Sequence, residues 1–239
     1  MNKKLRAASM PLIFAALAGC NSFPTQEYNK AGNTRVHVIA LAPVGLPDKP
    51  QSSTLNAVGN NFGLIGGIVE ATRASNASGE MVTELTAGNL DYKSYLPEKI
   101  ISDLRSAGFE VVVLPGTRSS AESGKFLSDV PQAPGADAIL DIYASYVGYV
   151  AAGSKTDYRP AVHIEARLLD ANTQKVLFAD QIYYNNFTPR SAKTAITIEP
   201  DPRWAFSDRK EMVSNPPDVT RGLRAGLDAV SLQLVRQLK

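Results

Sequence analysis

The sequence predicts an α+β domain built on a mixed β-sheet, and three observations predict it. An apolar run, an amphipathic stretch and a second apolar run follow one another between Val36 and Leu114. Segments between Asp137 and Tyr184 alternate apolar and polar residues with period two. A single apolar stripe then runs through the C-terminal stretch after Asn215. Strand, helix, strand is the signature of a right-handed crossover between parallel strands. Period-two alternation belongs to an antiparallel meander, and the stripe to a helix packed on the sheet.

The first run, Val36-His37-Val38-Ile39-Ala40-Leu41-Ala42, is apolar at nearly every residue and stops at Pro43. Such a run suits a strand covered on both faces, so His37 is expected to be a buried core or sheet-edge histidine. Leu96, Ile100, Leu104 and Ala107 recur at helical spacing, and Gly108 stands where a C-cap glycine belongs. Phe109 to Leu114 supplies the next strand, closed by Pro115-Gly116. Between the first strand and the helix lies a long insertion at about 45–93.

In the meander, Leu140, Ile142, Ala144, Tyr146 and Val150 fall on one side of the first strand. Tyr143, Tyr146 and Tyr149 form a candidate aromatic contact surface, Tyr143 and Tyr149 sharing the side opposite Tyr146. Val162, Ile164, Ala166 and Leu168 alternate with a polar row, His163, Glu165 and Arg167, which is expected on a solvated face. Val176, Phe178, Ile182 and Tyr184 share the inner side of the third strand, and Asp170 to Gln174 has turn chemistry. The stretch from Phe187 to Asn215, with Trp204 and several prolines, is irregular. Asn215 is then placed to cap a final helix, with Pro216-Pro217 in its first turn. Its stripe of Val219, Leu223, Leu227, Val230, Leu234 and Leu238 should cover the sheet; the alternative is a partner-binding amphipathic helix.

The N-terminus decides where such a domain resides. Lys3, Lys4 and Arg6 precede a short apolar run from Ala7 to Ala18, which closes with Leu17-Ala18-Gly19-Cys20. That order is a secretory leader, too short to remain as a spanning helix. Ending in the chain's single cysteine, it resembles a bacterial lipobox, which implies cleavage between Gly19 and Cys20 and acylation of Cys20. Asn21 in place of an aspartate implies sorting to the outer membrane, facing the periplasm. Residues 20–34 are polar, with Pro and Gly, and read as a lipid-anchored flexible tether ahead of one domain at 35–239.

Loss of residues 1–19 leaves 22 basic against 23 acidic side chains, a formal charge of −1. The mature chain therefore has no basic excess to draw it to nucleic acid. With its cysteine acylated it has no disulfide and no cysteine-based zinc site.

The strand Val36 to Ala42, the unit Leu96 to Leu114, the strand entry Ala138-Ile139-Leu140 and the hairpin Ala166 to Phe178 together resemble the TolB N-terminal domain. They also resemble its lipoprotein relatives of the CsgG and LpoB families. This implies an anchored binding or assembly module serving a secretion, surface-polymer or cell-wall system. The insertion and the irregular stretch before the last helix depart from the short members.

Chemistry is sparse. The chain has two histidines, His37 and His163, on separate strands that could join carboxylates at a metal, but nothing in their spacing asks for it. No Gly-x-Ser-x-Gly elbow occurs, and Gly59 to Gly67 lacks the Lys-Ser/Thr of a phosphate loop. Asp201 and Asp208 lie in loops and are expected to be solvated. No enzyme activity, cofactor or metal is therefore expected. The candidate partner-binding residues are Phe62, Leu64, Ile65, Ile68 and Val69, an apolar, glycine-rich run inside the insertion. Small residues there permit close approach of another helix, another subunit or lipid. The alternatives to a partner or self-association surface are therefore a segment tucked over the core and a membrane-contacting element. The rival reading is an envelope hydrolase or small-ligand binder with a pocket under the insertion. It requires converging polar groups with a perturbed histidine or carboxylate.

Overall fold

The opening apolar run becomes β1 (Val38–Leu41) in a computed structural model that describes residues 23–33, 35–54, 81, 83, 85, 88–153, 155–185 and 195–239. Ile39 and Leu41 enter the main core, while Ala40 and Ala42 join a second, smaller core with Leu114, Ala133 and Ile139. Alternate side chains point to opposite faces, so the strand is covered on both, as its composition predicts. His37 is not part of this. It is exposed, because the strand begins one residue later. Its main-chain N–H and that of Val38 each donate to Asp137 Oδ2 at 2.8 Å, which holds the Asp137 carboxyl below its ordinary range.

The crossover helix is α1 (Tyr92–Ser106). Asp91 caps it by accepting from the Lys93 N–H, and Tyr92, Leu96, Ile100 and Leu104 are its buried residues. Gly108 follows with φ of +99°, the left-handed conformation that ends a helix at little cost only for glycine. β3 (Glu110–Val113) then pairs with β1 in parallel. It is a sheet edge, so Val112 and Val113 are exposed.

The insertion contributes a strand of its own. β2 (Gln51–Thr54) runs parallel to the far end of β4 (Ala138–Ala151), whose near end pairs with β1. A Cβ added at Gly148 would lie 1.8 Å from the Gln51 carbonyl oxygen, so glycine is what lets β2 close on β4. Met81 and Leu85 are helical and buried in the main core. Phe62, Leu64, Ile65, Ile68 and Val69 lie outside the described residues, as do residues 1–19 and Cys20.

β4, β5 (Tyr158–Asp170) and β6 (Val176–Tyr184) form the antiparallel meander, and β7 (Ile196–Ile198) adds to β6 in parallel. The result is a seven-stranded mixed sheet with the order β3-β1-β4-β5-β6-β7, β2 pairing beside β1 on β4. The turn at 170–174 is tied by Asp170, whose carboxylate accepts from the Asn172 and Thr173 N–H groups and the Thr173 hydroxyl.

One irregularity corrects the alternation read from the sequence. The β4–β5 register shifts between Ala144 and Tyr146, leaving Ser145 as the extra residue of a bulge. Beyond it the faces exchange. Val147 and Tyr149 enter the main core, and Tyr146 and Val150 pack with Ala161 on the opposite side. Tyr146 and Tyr149 are buried, so the tyrosine row is not an exposed contact surface.

The C-terminal stretch holds a 3-10 turn (Pro202–Trp204) and α2 (Arg209–Val213) before α3 (Pro216–Gln237). Asp201 and Asp208 are not idle loop carboxylates. They cap the 3-10 turn and α2 through the Arg203 and Glu211 N–H groups. Asn215 holds the capping position of α3, yet its amide donates to the Glu211 carbonyl at 2.7 Å and caps nothing. Pro216 and Pro217 carry no N–H, so fewer first-turn donors need a cap. All six residues of the predicted stripe are buried against the sheet and α1, which leaves no free apolar face for a partner.

Candidate functional site

The helices cover one face of the sheet; the opposite face is the candidate site. Loop 115–136 crosses it and is fastened by one buried carboxylate. Asp141 accepts from Arg118 through Oδ1 and, through Oδ2, from Arg167 Nε at 2.9 Å and the Leu127 N–H at 3.1 Å. Arg118 also donates to the Pro43 and Lys125 carbonyls at 2.6 Å, and Arg167 to the Leu127 carbonyl at 2.6 Å. β4 and β5 position this group directly, because Asp141 and Arg167 are cross-strand partners. Phe126 lies over the Arg167 guanidinium at 4.6 Å and meets the Tyr143 ring edge-on at 5.0 Å.

Farther along the same face is a polar layer from the bulge and the two next strands. Glu165 Oε1 accepts from the Ser145 hydroxyl at 3.0 Å and the Tyr183 hydroxyl at 3.2 Å. Gln181 donates to the Tyr183 hydroxyl at 2.7 Å. The His163 ring stacks on Tyr183 at 4.2 Å and tilts against Tyr146 at 5.7 Å. The row read as solvated is therefore buried: His163 and Glu165 are 2% and 1% exposed. Large neighbours on β4 and β6 close over them, which a single strand's pattern does not reveal. Glu165 Oε2, His163 Nε2 and Gln181 Oε1 have no hydrogen-bond partner among the described residues.

Burial sets the charge state of this layer. Desolvation pushes the Glu165 carboxyl up to about 7, against the pull of its hydroxyl and amide donors, and drives His163 down to about 3. Burial, reinforced by the Glu165 charge, also holds the Tyr183 phenol well above its ordinary range. At mildly acid pH both Glu165 and His163 are therefore neutral, as suits groups packed inside the domain.

The two linkages have opposite signs. The raised Glu165 value makes its contribution fully present below its unfolded value of 4.5 and lost as pH rises through about 7. The full change is about 3 kcal/mol. The lowered His163 value makes its contribution present above the unfolded 6.5 and lost as pH falls toward about 3. Between 4.5 and 6.5 the slopes oppose, so stability should be nearly flat there. In Glu165→Gln only the histidine slope remains, and unfolding free energy should rise with pH across that window. Denaturant unfolding at several pH values measures it; an unchanged profile in the variant would refute the assigned protonation.

The strands bring His163, Glu165 and Arg167 to one face and leave His37 far from them at the start of β1. Sequence reasoning missed Arg118, Asp141, Ser145, Gln181 and Tyr183. A signal was present: a supposedly wet face carrying Tyr143 and Tyr183 beside an Asp-Arg cross-strand pair. Among the described residues no group of three or more His, Cys, Asp or Glu side chains is placed to hold a metal. No described helix is long and apolar enough to cross a membrane.

No protein-family model matches the chain, and no curated protein matches it. Solved structures overlap with it in part. A Xanthomonas campestris protein of the family DUF330 is 12% identical, covers 90% of this chain and 86% of its own, and gives a TM-score of 0.41. The PelC dodecamer of Paraburkholderia phytofirmans is 11% identical, with 91% and 92% covered and a TM-score of 0.37. Lipoprotein GNA1162 of Neisseria meningitidis is 18% identical, with 62% and 81% covered and a TM-score of 0.30.

Proposed function

We propose that the chain is an outer-membrane lipoprotein, anchored through Cys20, whose periplasmic domain is a non-catalytic binding and assembly module. The TolB, CsgG and LpoB resemblance belongs to this proposal, as does a partner in secretion, surface-polymer or cell-wall machinery. The observation that carries it is Leu17-Ala18-Gly19-Cys20 closing a short basic-then-apolar leader. Two or more acyl chains hold a protein on a bilayer stably, where one does so only marginally. Confinement to that surface raises the effective concentration at an envelope target.

Cys20→Ser is expected to leave the domain folded, with an unchanged melting temperature, and to remove it from the outer-membrane fraction. Persistence of the variant in that fraction would refute the anchor. Affinity capture of the acylated protein from cross-linked envelopes, with sizing in detergent, then tests for a partner or a second copy.

One observation favours the rival small-ligand or hydrolase reading. Ser145, half-buried at the bulge, donates to a carboxylate whose titration is pushed to about 7. Labelling of Ser145 by a fluorophosphonate probe would support that reading. Failure to label, with capture unaffected in Ser145→Ala, supports the binding module.

A further inference from the structure

The segment read as a tether is, from Phe23 onward, attached to the sheet. Gln26 forms an antiparallel bridge with Ala179 of β6, its N–H donating to the Ala179 carbonyl at 2.7 Å. The Ala179 N–H donates back to the Gln26 carbonyl at 2.9 Å. The Gln26 amide reaches the Val176 carbonyl at 2.9 Å. Tyr28 packs on the main core. Phe23 lies across the helix-free face, its ring 6.0 Å from Phe126, which itself rests on Arg167 and Tyr143.

Chain geometry then limits the anchor. Three residues of fully extended chain span at most about 11 Å, so Cys20 stays within that reach of Phe23. We infer that the corner formed by Phe23 and Phe126, on the helix-free face, is the bilayer-facing surface of the anchored domain. The α1 and α3 layer is turned toward the periplasm and is the side open to a large partner. This rests on the lipid anchor proposed above. It replaces a freely roaming domain with one pivoting on a short leash, and it commits the corner to a lipid headgroup surface.

The chain's one cysteine makes the test direct, since acylated Cys20 offers no free thiol and an introduced cysteine is the sole labelling position. Lys125→Cys, beside Phe126, and Glu98→Cys, on α1, both replace exposed side chains. Full-length acylated protein carrying a fluorophore at either position is reconstituted into phospholipid vesicles containing a headgroup nitroxide lipid. About 20 Å of sheet and helix separates the two labels, so quenching at Lys125→Cys should be at least about twofold stronger than at Glu98→Cys. A flexible insert of about ten Gly/Ser residues between Ser22 and Phe23 should erase the difference while the protein still floats with the vesicles. Equal quenching at the two positions in floating, uninserted protein overturns the orientation and leaves the anchor standing. Protein that fails to float, or unsubstituted protein that takes up the label at Cys20, overturns the anchor and the orientation together.

Discussion

Replacing Asp141 with Ala is expected to cost about 3–5 kcal/mol, the largest loss foreseen for any single polar substitution in the domain. The Asp141 side chain is fully buried, and that of its partner Arg118 is 2% exposed. Without the carboxylate, Arg118 retains its two carbonyl acceptors and loses the charge that balances it. Arg167 is partly exposed and can turn to water; Arg118 cannot. The same substitution orphans the Leu127 N–H and so loosens loop 115–136, whose Leu127, Val130, Ala133 and Ala136 cover β1 and β4. Urea unfolding of Asp141→Ala measures the loss. The double variant Arg118→Met/Asp141→Leu discriminates a buried-charge penalty from simple loss of packing. If charge is the cause, the double variant recovers most of the stability, because apolar replacement of a whole buried pair is often neutral. Recovery absent from the double variant, or a cost below about 1 kcal/mol for Asp141→Ala, would show that the clamp does not hold the loop.

How far the sequence could be read follows from which forces act locally. β1, α1, β3 and α3 were legible because their apolar periodicity reports burial directly. The turn at Asp170 was legible because Asn, Asp and Thr bind their own backbone. Misreadings arose where a distant element decides the outcome. Ser145 inserts one residue into β4, and every later parity on that strand inverts; nothing in DIYASYVGYV marks the bulge. His163 and Glu165 look solvated because alternation shows which residues share a face, but not whether Tyr183, Gln181 and Tyr146 close over that face. β2 was hidden in the insertion because QSST is polar and short, and it becomes a strand by pairing with the exposed flank of a long β4. The segment around Gln26 reads as linker for the same reason; its strand-like conformation depends on an open β6 edge. The leader and Cys20 are a different kind of signal, since their meaning comes from processing chemistry rather than folding.

The second large effect is expected on α3 and decides what its apolar stripe is for. Leu227→Ala should cost about 2–5 kcal/mol, because Leu227 is fully buried and its removal leaves a cavity under the helix. The neighbouring Gly226 brings the helix backbone so near the sheet that an added Cβ would meet Tyr184 at 2.8 Å and Val162 at 3.0 Å. A helix held that closely by β5 and β6 cannot easily sink to fill the space, which places the cost toward the upper part of that range. Leu232, 44% exposed on the same helix, is the internal control, and its truncation should change stability by no more than about 0.5 kcal/mol. Chemical denaturation of the two variants makes the comparison, with the slope of unfolding confirming that both remain cooperatively folded. If the stripe instead served a partner, Leu227→Ala would leave stability intact and weaken capture from envelopes. A large stability loss with Leu232→Ala neutral fixes α3 as the cover of the sheet, so a partner must engage some surface other than the buried stripe.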